Sequence, residues 1–412
     1  MIRSAGAWNE SASVPDLILR GPTLLDGTVA DVRLRDGRID AIGELAAEPG
    51  DDARDLHGYL LSPAPVEPHA HLDKAFLAER VTNRTGDLLG AVEAMMAARG
   101  ELGVADTVER AERAAHLLAA NGFAAVRSHA DTTTDHGLRS IEALAEVRRR
   151  VADSIDVQVV ALCGWPIAGA GSEDQRALLV EALATGADLV GGAPHFDTCG
   201  SRAATETLLQ IAADHGVGVD LHTDETLELE FDGLSELAEL VTRSGFEHPV
   251  TASHCVSLGM RPPDRQREVA ELVAAAGISV VALPATNLYL QGRQHQEAMP
   301  RGVTAVHALR AAGAVVAAGG DNLQDPFNPV GRGCPFETAA LMILTAHLLP
   351  EEAWETVSTG ARRAIGVEPA GLEVGGSADL LAVKASTIRE AIAFAPADRL
   401  VIRRGRVVGS PT

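Results

Sequence analysis

The chain has 412 residues, 46% of them apolar and 22% charged, and its 35 basic and 57 acidic side chains leave a formal net charge of -22. That length exceeds one small domain and suits a large enzyme core, and the composition is that of a folded protein, not a disordered one. The acidity argues against nucleic acid or an anionic membrane surface as a partner, because both require a basic face.

Residues 16–20, 32–35 and 38–42 read as short strands, with Asp36-Gly37 between alternating runs as a hairpin turn. Residues 378–383 and 399–408 repeat this style at the other end. Two β-rich ends around a different middle predict one small β-sandwich domain built from residues 1–59 and 371–412. In the middle, apolar strand-like runs recur at 60–66, 124–128, 157–162, 188–192, 218–221, 250–253, 278–283 and 314–318. Between them lie Ala/Glu/Arg/Leu-rich stretches of helical character, such as 107–120, 138–151, 175–185, 205–215 and 265–276. Glycines at 122, 186, 216 and 277 follow several of these, the position where glycine stops a helix. Continuous apolar runs are what strands buried on both faces look like. The alternation predicts an α/β fold, a (β/α)8 TIM barrel over residues 60–370, with its site at the C-terminal strand ends.

Four widely spaced cysteines, Cys163, Cys199, Cys255 and Cys334, contain no Cys-x-x-Cys pair. They point to reduced thiols and a cytoplasmic location instead of a disulfide frame or a structural zinc knot. Residues 1–15 lack an apolar core of signal-peptide length, and no apolar run reaches the roughly 20 residues of a membrane helix. The expected partner is a small-molecule substrate, with no nucleic acid and no membrane, and the expected assembly is a homo-oligomer.

Polar residues follow each apolar run. The first run ends in His69-Ala70-His71, whose histidines are two apart and so share one side of a strand. Later ends carry His129-Ala130-Asp131, Cys163-Gly164-Trp165-Pro166, His195-Phe196-Asp197, His222-Thr223-Asp224-Glu225, His254-Cys255, Thr286-Asn287 and Gly320-Asp321-Asn322. Six of the fourteen histidines thus sit at strand ends. Converging His and Asp groups in a barrel mouth are costly to bury unless they pair or coordinate something. A polar layer that only closes the barrel is the plainer alternative. A metal site needs three or four N/O ligands and an open position, and His69, His71, His222 and Asp321 supply three imidazoles and a carboxylate. No lysine follows the fourth run to bridge a second ion, so a single divalent cation, zinc or iron, is expected. No Gly-rich phosphate loop is present.

In order, Glu67-Pro68-His69-Ala70-His71-Leu72-Asp73, Val126-Arg127-Ser128-His129-Ala130-Asp131, Pro194-His195-Phe196, His222-Thr223-Asp224-Glu225, Thr251-Ala252-Ser253-His254, Leu290-Gln291-Gly292-Arg293 and the stretch from Gly320 to Gly331 resemble the amidohydrolase superfamily, in its cytosine-deaminase-like branch. The resemblance covers most of the chain. It implies a mononuclear centre held by His69, His71, His222 and Asp321, with Asp321 also taking the water proton. It further implies that His254 orients the attacking hydroxide and that Glu225 protonates a ring nitrogen. The implied reaction is hydrolytic deamination of an amino-substituted N-heterocycle that is cytosine-like, aminotriazine-like or pterin-like. Hydrolysis of a cyclic amide or of an N-substituted amine by the same water is the alternative. A non-catalytic relative would have lost ligands, and this chain has all four.

The sequence departs from the branch in places. Cytosine deaminases carry a glutamine after strand 3 that reads the pyrimidine amide edge, and the aligned stretch here, Leu162-Cys163-Gly164-Trp165-Pro166, has none. Cytosine itself is therefore not the expected substrate. The aspartate that often follows the metal aspartate is Asn322, and the aromatic after the Asp-Pro pair is Phe327 instead of Trp. Trp165 and Phe327 are placed to sandwich a flat ring, with Leu88 as a cover and Asn322 beside it. Lys74 follows the first motif, as in some aminotriazine-hydrolysing relatives, either to meet an anionic substrate or to pair with Asp73.

Overall fold

The two termini meet in one sandwich, whose second sheet is buried on both faces at its centre: Leu380, Ala382 and Ile402 face the first sheet, and Leu381, Val383 and Val401 join the barrel core. A computed structural model describes residues 16–409; the reading of residues 1–15 lies outside the described residues. One four-stranded sheet runs in the order Arg38–Gly43, Asp31–Arg35, Leu17–Arg20, Asp52–Asp55. The other runs Arg406–Gly409, Arg399–Arg403, Leu380–Val383, Leu60–Pro63. Leu17, Leu19, Val32 and Leu34 of the first share one apolar layer with Leu61, Leu380, Ala382 and Ile402 of the second. Asp36 and Gly37 turn the first hairpin at φ of 50° and 74°, the positive values that such two-residue turns need.

Eight parallel strands follow in sequence order: β1 Val66–Ala70, β2 Ala125–Thr132, β3 Asp156–Cys163, β4 Leu189–Gly192, β5 Val219–Thr223, β6 Val250–His254, β7 Ser279–Ala282 and β8 Val316–Ala318. All five helical stretches named above are helices, here Val104–Ala120, Arg139–Arg150, Glu173–Thr185, Ser201–His215 and Pro263–Ala275. Each turns an apolar stripe inward. In Val104–Ala120, Val108, Ala111, Ala115 and Leu118 recur at helical spacing and are buried against the strands. This is the (β/α)8 TIM barrel that the alternation predicts, with a separate small sandwich from both ends. A further helix, Leu88–Ala98, stands between β1 and the outer ring, capped by Asp87, whose carboxylate accepts from the Gly90 amide at 2.8 Å.

The ring is stitched shut just past β8. The Asp321 amide donates to the His69 carbonyl at 3.1 Å, and the His71 amide donates to the Asp321 carbonyl at 3.3 Å. Glu67 of β1 accepts from the Gly320 amide at 3.0 Å. A β-carbon at Gly319 would stand 2.5 Å from the Glu67 carboxylate, so only glycine lets the two strands approach.

The run at 60–66 is not one strand. Leu60–Pro63 pairs antiparallel with Leu380–Val383 in the sandwich, and the barrel begins at Val66. The switch falls between two prolines. Ala64 still donates to the Asp379 carbonyl at 2.9 Å, while the Pro65 carbonyl already accepts from Ala124 of the barrel at 2.9 Å. Neither Pro63 nor Pro65 has an amide to continue either ladder.

A buried charge node holds this joint. Asp379 is 5% exposed and accepts from Arg403 at 2.6 Å, and Arg362, 1% exposed, lies 3.7 Å from it and donates to the Ala64 carbonyl at 3.1 Å. Burial works to raise the Asp379 carboxyl, but the Arg403 charge and the Arg404 amide hold it below its ordinary range. Among the described residues, no helix is long and apolar enough to cross a membrane.

Removing one partner of a buried ion pair leaves the other charged and uncompensated, at a cost of about 3–5 kcal/mol. Asp379→Ala is therefore expected to lower unfolding free energy by about 3 kcal/mol in urea titrations. A loss below about 1 kcal/mol would show that Arg403 is held adequately by its second partner, Asp156.

Candidate active site

The strand ends bring five histidines to one point. His69 lies within β1 and His71 just beyond it, His129 in β2, His222 in β5, and His254 at the end of β6. Ring centroids of His69 stand 3.9 Å from His129, 4.6 Å from His222, 5.3 Å from His71 and 5.5 Å from His254. His71 Nε2 is 3.2 Å from His222 Nε2. Asp321 Oδ1 is 3.4 Å from His71 Nε2 and 3.7 Å from His69 Nε2. Of the four ligands expected from the sequence, His69 and His71 stand beside Asp321, and His222 stands beside His71 and His69 in a separate set with His129.

These residues fit a cation. Asp321 is 4% exposed, and among the described residues no well-aligned hydrogen bond reaches either carboxylate oxygen, though the Thr286 hydroxyl is near enough to lower its carboxyl slightly; His69 Nε2 is also without a partner. Burial, with Asp325 nearby, pushes the Asp321 carboxyl up to about 8. A divalent ion would reverse that and hold it ionised. Burial drives His69, His71 and His222 well below their ordinary range, which keeps the imidazoles neutral and able to donate a lone pair. Two sets, His69/His71/Asp321 and His69/His129/His222, each keep their ligand atoms within 4.8 Å of one another. His129 is the member that sequence reasoning left without a role. Its place at a strand end was visible, but its stacking on His69 was not.

A buried relay orients His69. Arg127 Nη1 donates to Asp220 at 2.8 Å, Ser253 Oγ donates to Asp220 at 3.0 Å, and His69 Nδ1 is 2.8 Å from Ser253 Oγ. With its own proton given to Asp220, Ser253 accepts from His69 Nδ1, which turns the Nε2 lone pair toward Asp321. Three residues here adopt positive φ without being glycine: Asp224 at 47°, His254 at 69° and Asp321 at 63°. Such strain persists where the surroundings over-determine a geometry.

Glu225 and His254 face each other beside this cluster. Glu225 Oε1 lies 3.6 Å from His254 Nδ1, which is also 3.2 Å from Asn287 Oδ1. Glu225 is aimed by its neighbour: the Asp224 carboxylate accepts from the Gly233 and Leu234 amides, each at 3.1 Å, at the start of helix Gly233–Ser244. Burial, then the charge of Asp321, raises the Glu225 carboxyl well above its ordinary range, and burial pushes His254 down to about 3. A protonated acid next to a neutral base suits proton transfer at neutral pH.

One cavity gathers the remaining candidates. Leu88, Trp165, Asn322 and Phe327 line it together with His71, His222, Glu225, His254 and Asp321, while His69 lies fully buried beneath. Trp165 stacks on Phe196, centroids 5.0 Å apart, and Phe327 packs instead beside Leu77, Val81 and Met95. The Asn322 amide already donates to Asp325 at 2.8 Å. His195 stands apart on the short turn Pro194–Phe196 with both ring nitrogens unpartnered. Lys74, the residue with two readings, donates to Asp131 at 2.7 Å and Asp73 at 3.4 Å, lies 3.2 Å from His71 Nδ1, and lines the cavity as well. Arg99 and Asp131 also line that wall; Asp131 was visible at a strand end but left without a role, and Arg99 was not singled out from sequence. Burial works to raise the Asp131 carboxyl, but the Lys74 and Arg99 charges bring it down to about 2.

Residues 104–409 match the Amidohydrolase family. The chain is 34% identical to a pterin deaminase of Rhizobium rhizogenes, over 97% of this chain and 92% of that one. Its structure is similar to 5-methylcytosine deaminase of Klebsiella pneumoniae liganded with 5-fluorocytosine, with a TM-score of 0.86 and 30% identity, covering 95% of this chain and 97% of the other. It is also similar to N-isopropylammelide isopropylaminohydrolase of Burkholderia multivorans, with a TM-score of 0.84 and 29% identity, covering 97% and 99%. Family match, converging ligands and barrel together lead to one conclusion: the chain belongs to the amidohydrolase family.

Proposed function

We propose that this enzyme is a metal-dependent hydrolase that releases ammonia from an amino-substituted N-heterocycle, with pterin-like rings the first class to test and cytosine itself disfavoured. The observation that carries the reading is the meeting of Glu225, His254 and the buried Asp321 carboxyl in one cavity. The likeness to a pterin deaminase across 97% of the chain supports the substrate class. A single zinc or iron ion held by His69, His71, His222 and Asp321 would supply hydroxide near neutral pH by lowering the pKa of water.

The chain's own groups do the rest. Asp321 accepts the proton that water gives up. His254, held near Glu225 by Asn287, orients the attacking oxygen. Glu225, kept protonated by burial, gives its proton to the ring nitrogen beside the attacked carbon. The added oxygen and the amine then share a tetrahedral carbon, and a further proton delivered to the amine lets ammonia leave. Trp165, Phe196 and Phe327 supply flat apolar contact for the ring, and Leu88 covers it. Acidic charge and four unpaired cysteines fit a cytoplasmic enzyme without a nucleic acid or membrane partner, and a homo-oligomeric assembly is part of the same proposal. The likeness to an N-isopropylammelide hydrolase favours one second reading, an alkylamine leaving group seated against the apolar wall of Leu88 and Met95.

An ammonia-release screen over pterins, aminotriazines and aminopyrimidines, with zinc- and iron-loaded protein, tests the reading; no release from any of them, or release of only alkylamines from N-alkyl analogues, would overturn it. Asp321→Asn is expected to abolish turnover while circular dichroism stays that of the wild type, and most activity retained would refute its role. Glu225→Gln, which keeps shape but cannot give a proton, is expected to lower kcat about 10²–10⁴-fold. A chelator is expected to remove activity, and zinc or iron to restore it.

A further inference from the structure

We propose that Asp131 and Arg99 form the subsite that reads a lactam edge, an adjacent N–H and C=O, on the heterocycle. This rests on the deaminase reading and names what part of the substrate the enzyme recognises. β2 stands three and four strands away from β5 and β6 in a ring of eight, so Asp131 faces Glu225 and His254 across the mouth. A heterocycle seated between these walls turns one edge to the reacting groups and another to Asp131 and Arg99. The neighbouring strand end offers no competing group, since Asp131 pairs in register with Leu162, and Cys163-Gly164-Trp165 follow.

Several donors and acceptors on this wall are already paired, and others remain free. Lys74 gives one proton each to Asp73 and Asp131 and keeps its third, because His71 Nδ1, 3.2 Å away, carries a proton when Nε2 holds the cation. Thr133 gives its hydroxyl proton to Asp135. Asp131 takes one bond on each oxygen, from Lys74 at 2.7 Å and from Arg99 Nη2 at 3.3 Å, and each oxygen keeps a second lone pair. Arg99 binds Asp135 and Asp131 through its terminal nitrogens, and its Nε is buried with no acceptor. Free lone pairs on Asp131 beside unspent protons on the Arg99 guanidinium complement one N–H beside one C=O. The charges disfavour the simplest rival, an anionic substituent: Lys74 and Arg99 are already paired with Asp73, Asp131 and Asp135.

The test compares metal-loaded enzyme on two pairs of probes that keep the leaving amine and differ in the lactam: pterin against 2-aminopteridine, and cytosine against 4-aminopyrimidine. Wild type is expected to prefer the lactam member of the pair it turns over by at least about 100-fold in kcat/KM. Arg99→Met, which touches no ligand, and Asp131→Asn are each expected to cut that preference at least about tenfold through the lactam substrate, while the lactam-free partner changes less than about threefold. Metal content and melting temperature check that each variant is intact; where Asp131→Asn loses metal through Lys74, Arg99→Met decides. Equal loss on both members, or wild-type preference retained in Arg99→Met, overturns the proposal. No ammonia from any of the four probes with metal-loaded wild type overturns the deaminase reading instead.

Discussion

Asp321 is where the barrel's last strand meets its first, and that single junction sets up the site. Its backbone bonds both to His69 and to His71 across the seam, so its carboxylate is delivered within 3.4 Å of an imidazole whenever the ring closes. Gly319 and Gly320 permit the approach, and Glu67 ties the seam from the other side. Folding thereby places a carboxyl in a dry environment that keeps it protonated near neutral pH unless a cation answers it. Barrel closure and metal binding are in this sense one interaction.

The rest of the mouth is organised by how each group is held. His69 is fixed from below by Ser253, Asp220 and Arg127, a buried relay that selects one tautomer. Glu225 is fixed from the side, through Asp224 at a helix start. The links of these two supports end on partners, whereas Asp321, His69 Nε2 and His222 Nδ1 at the centre are left without one among the described residues. Unmet capacity concentrates where a cation or a substrate must supply the missing half.

The cavity has two chemically distinct sides. Aromatic and aliphatic side chains offer flat, weakly directional contact, which holds a ring without choosing its substituents. The charged wall of Lys74, Asp131 and Arg99 is directional, and relatives acting on pterin, 5-methylcytosine and N-isopropylammelide share the barrel while differing in what the ring carries. Specificity within such a frame resides in a few side chains on loops and strand ends, which can change without disturbing the strands.

Local pattern alone determined the barrel, its helices and the terminal sandwich, because apolar period and turn chemistry are written in neighbouring residues. It also marked His69, His71, His222, Glu225, His254 and Asp321, since each directly follows or ends an apolar run and so must reach the mouth. Tertiary structure decided what depends on distant partners. The run at 60–66 reads as continuous, yet Pro63 and Pro65 divide it, because its first half pairs with strand Leu380–Val383, more than 300 residues away. The stacking of His129 on His69, the Trp165–Phe196 pair, and the pairing of Lys74 and Arg99 with Asp131 likewise join separate segments. No periodicity encodes such meetings, because they arise only once eight strands have closed into a ring.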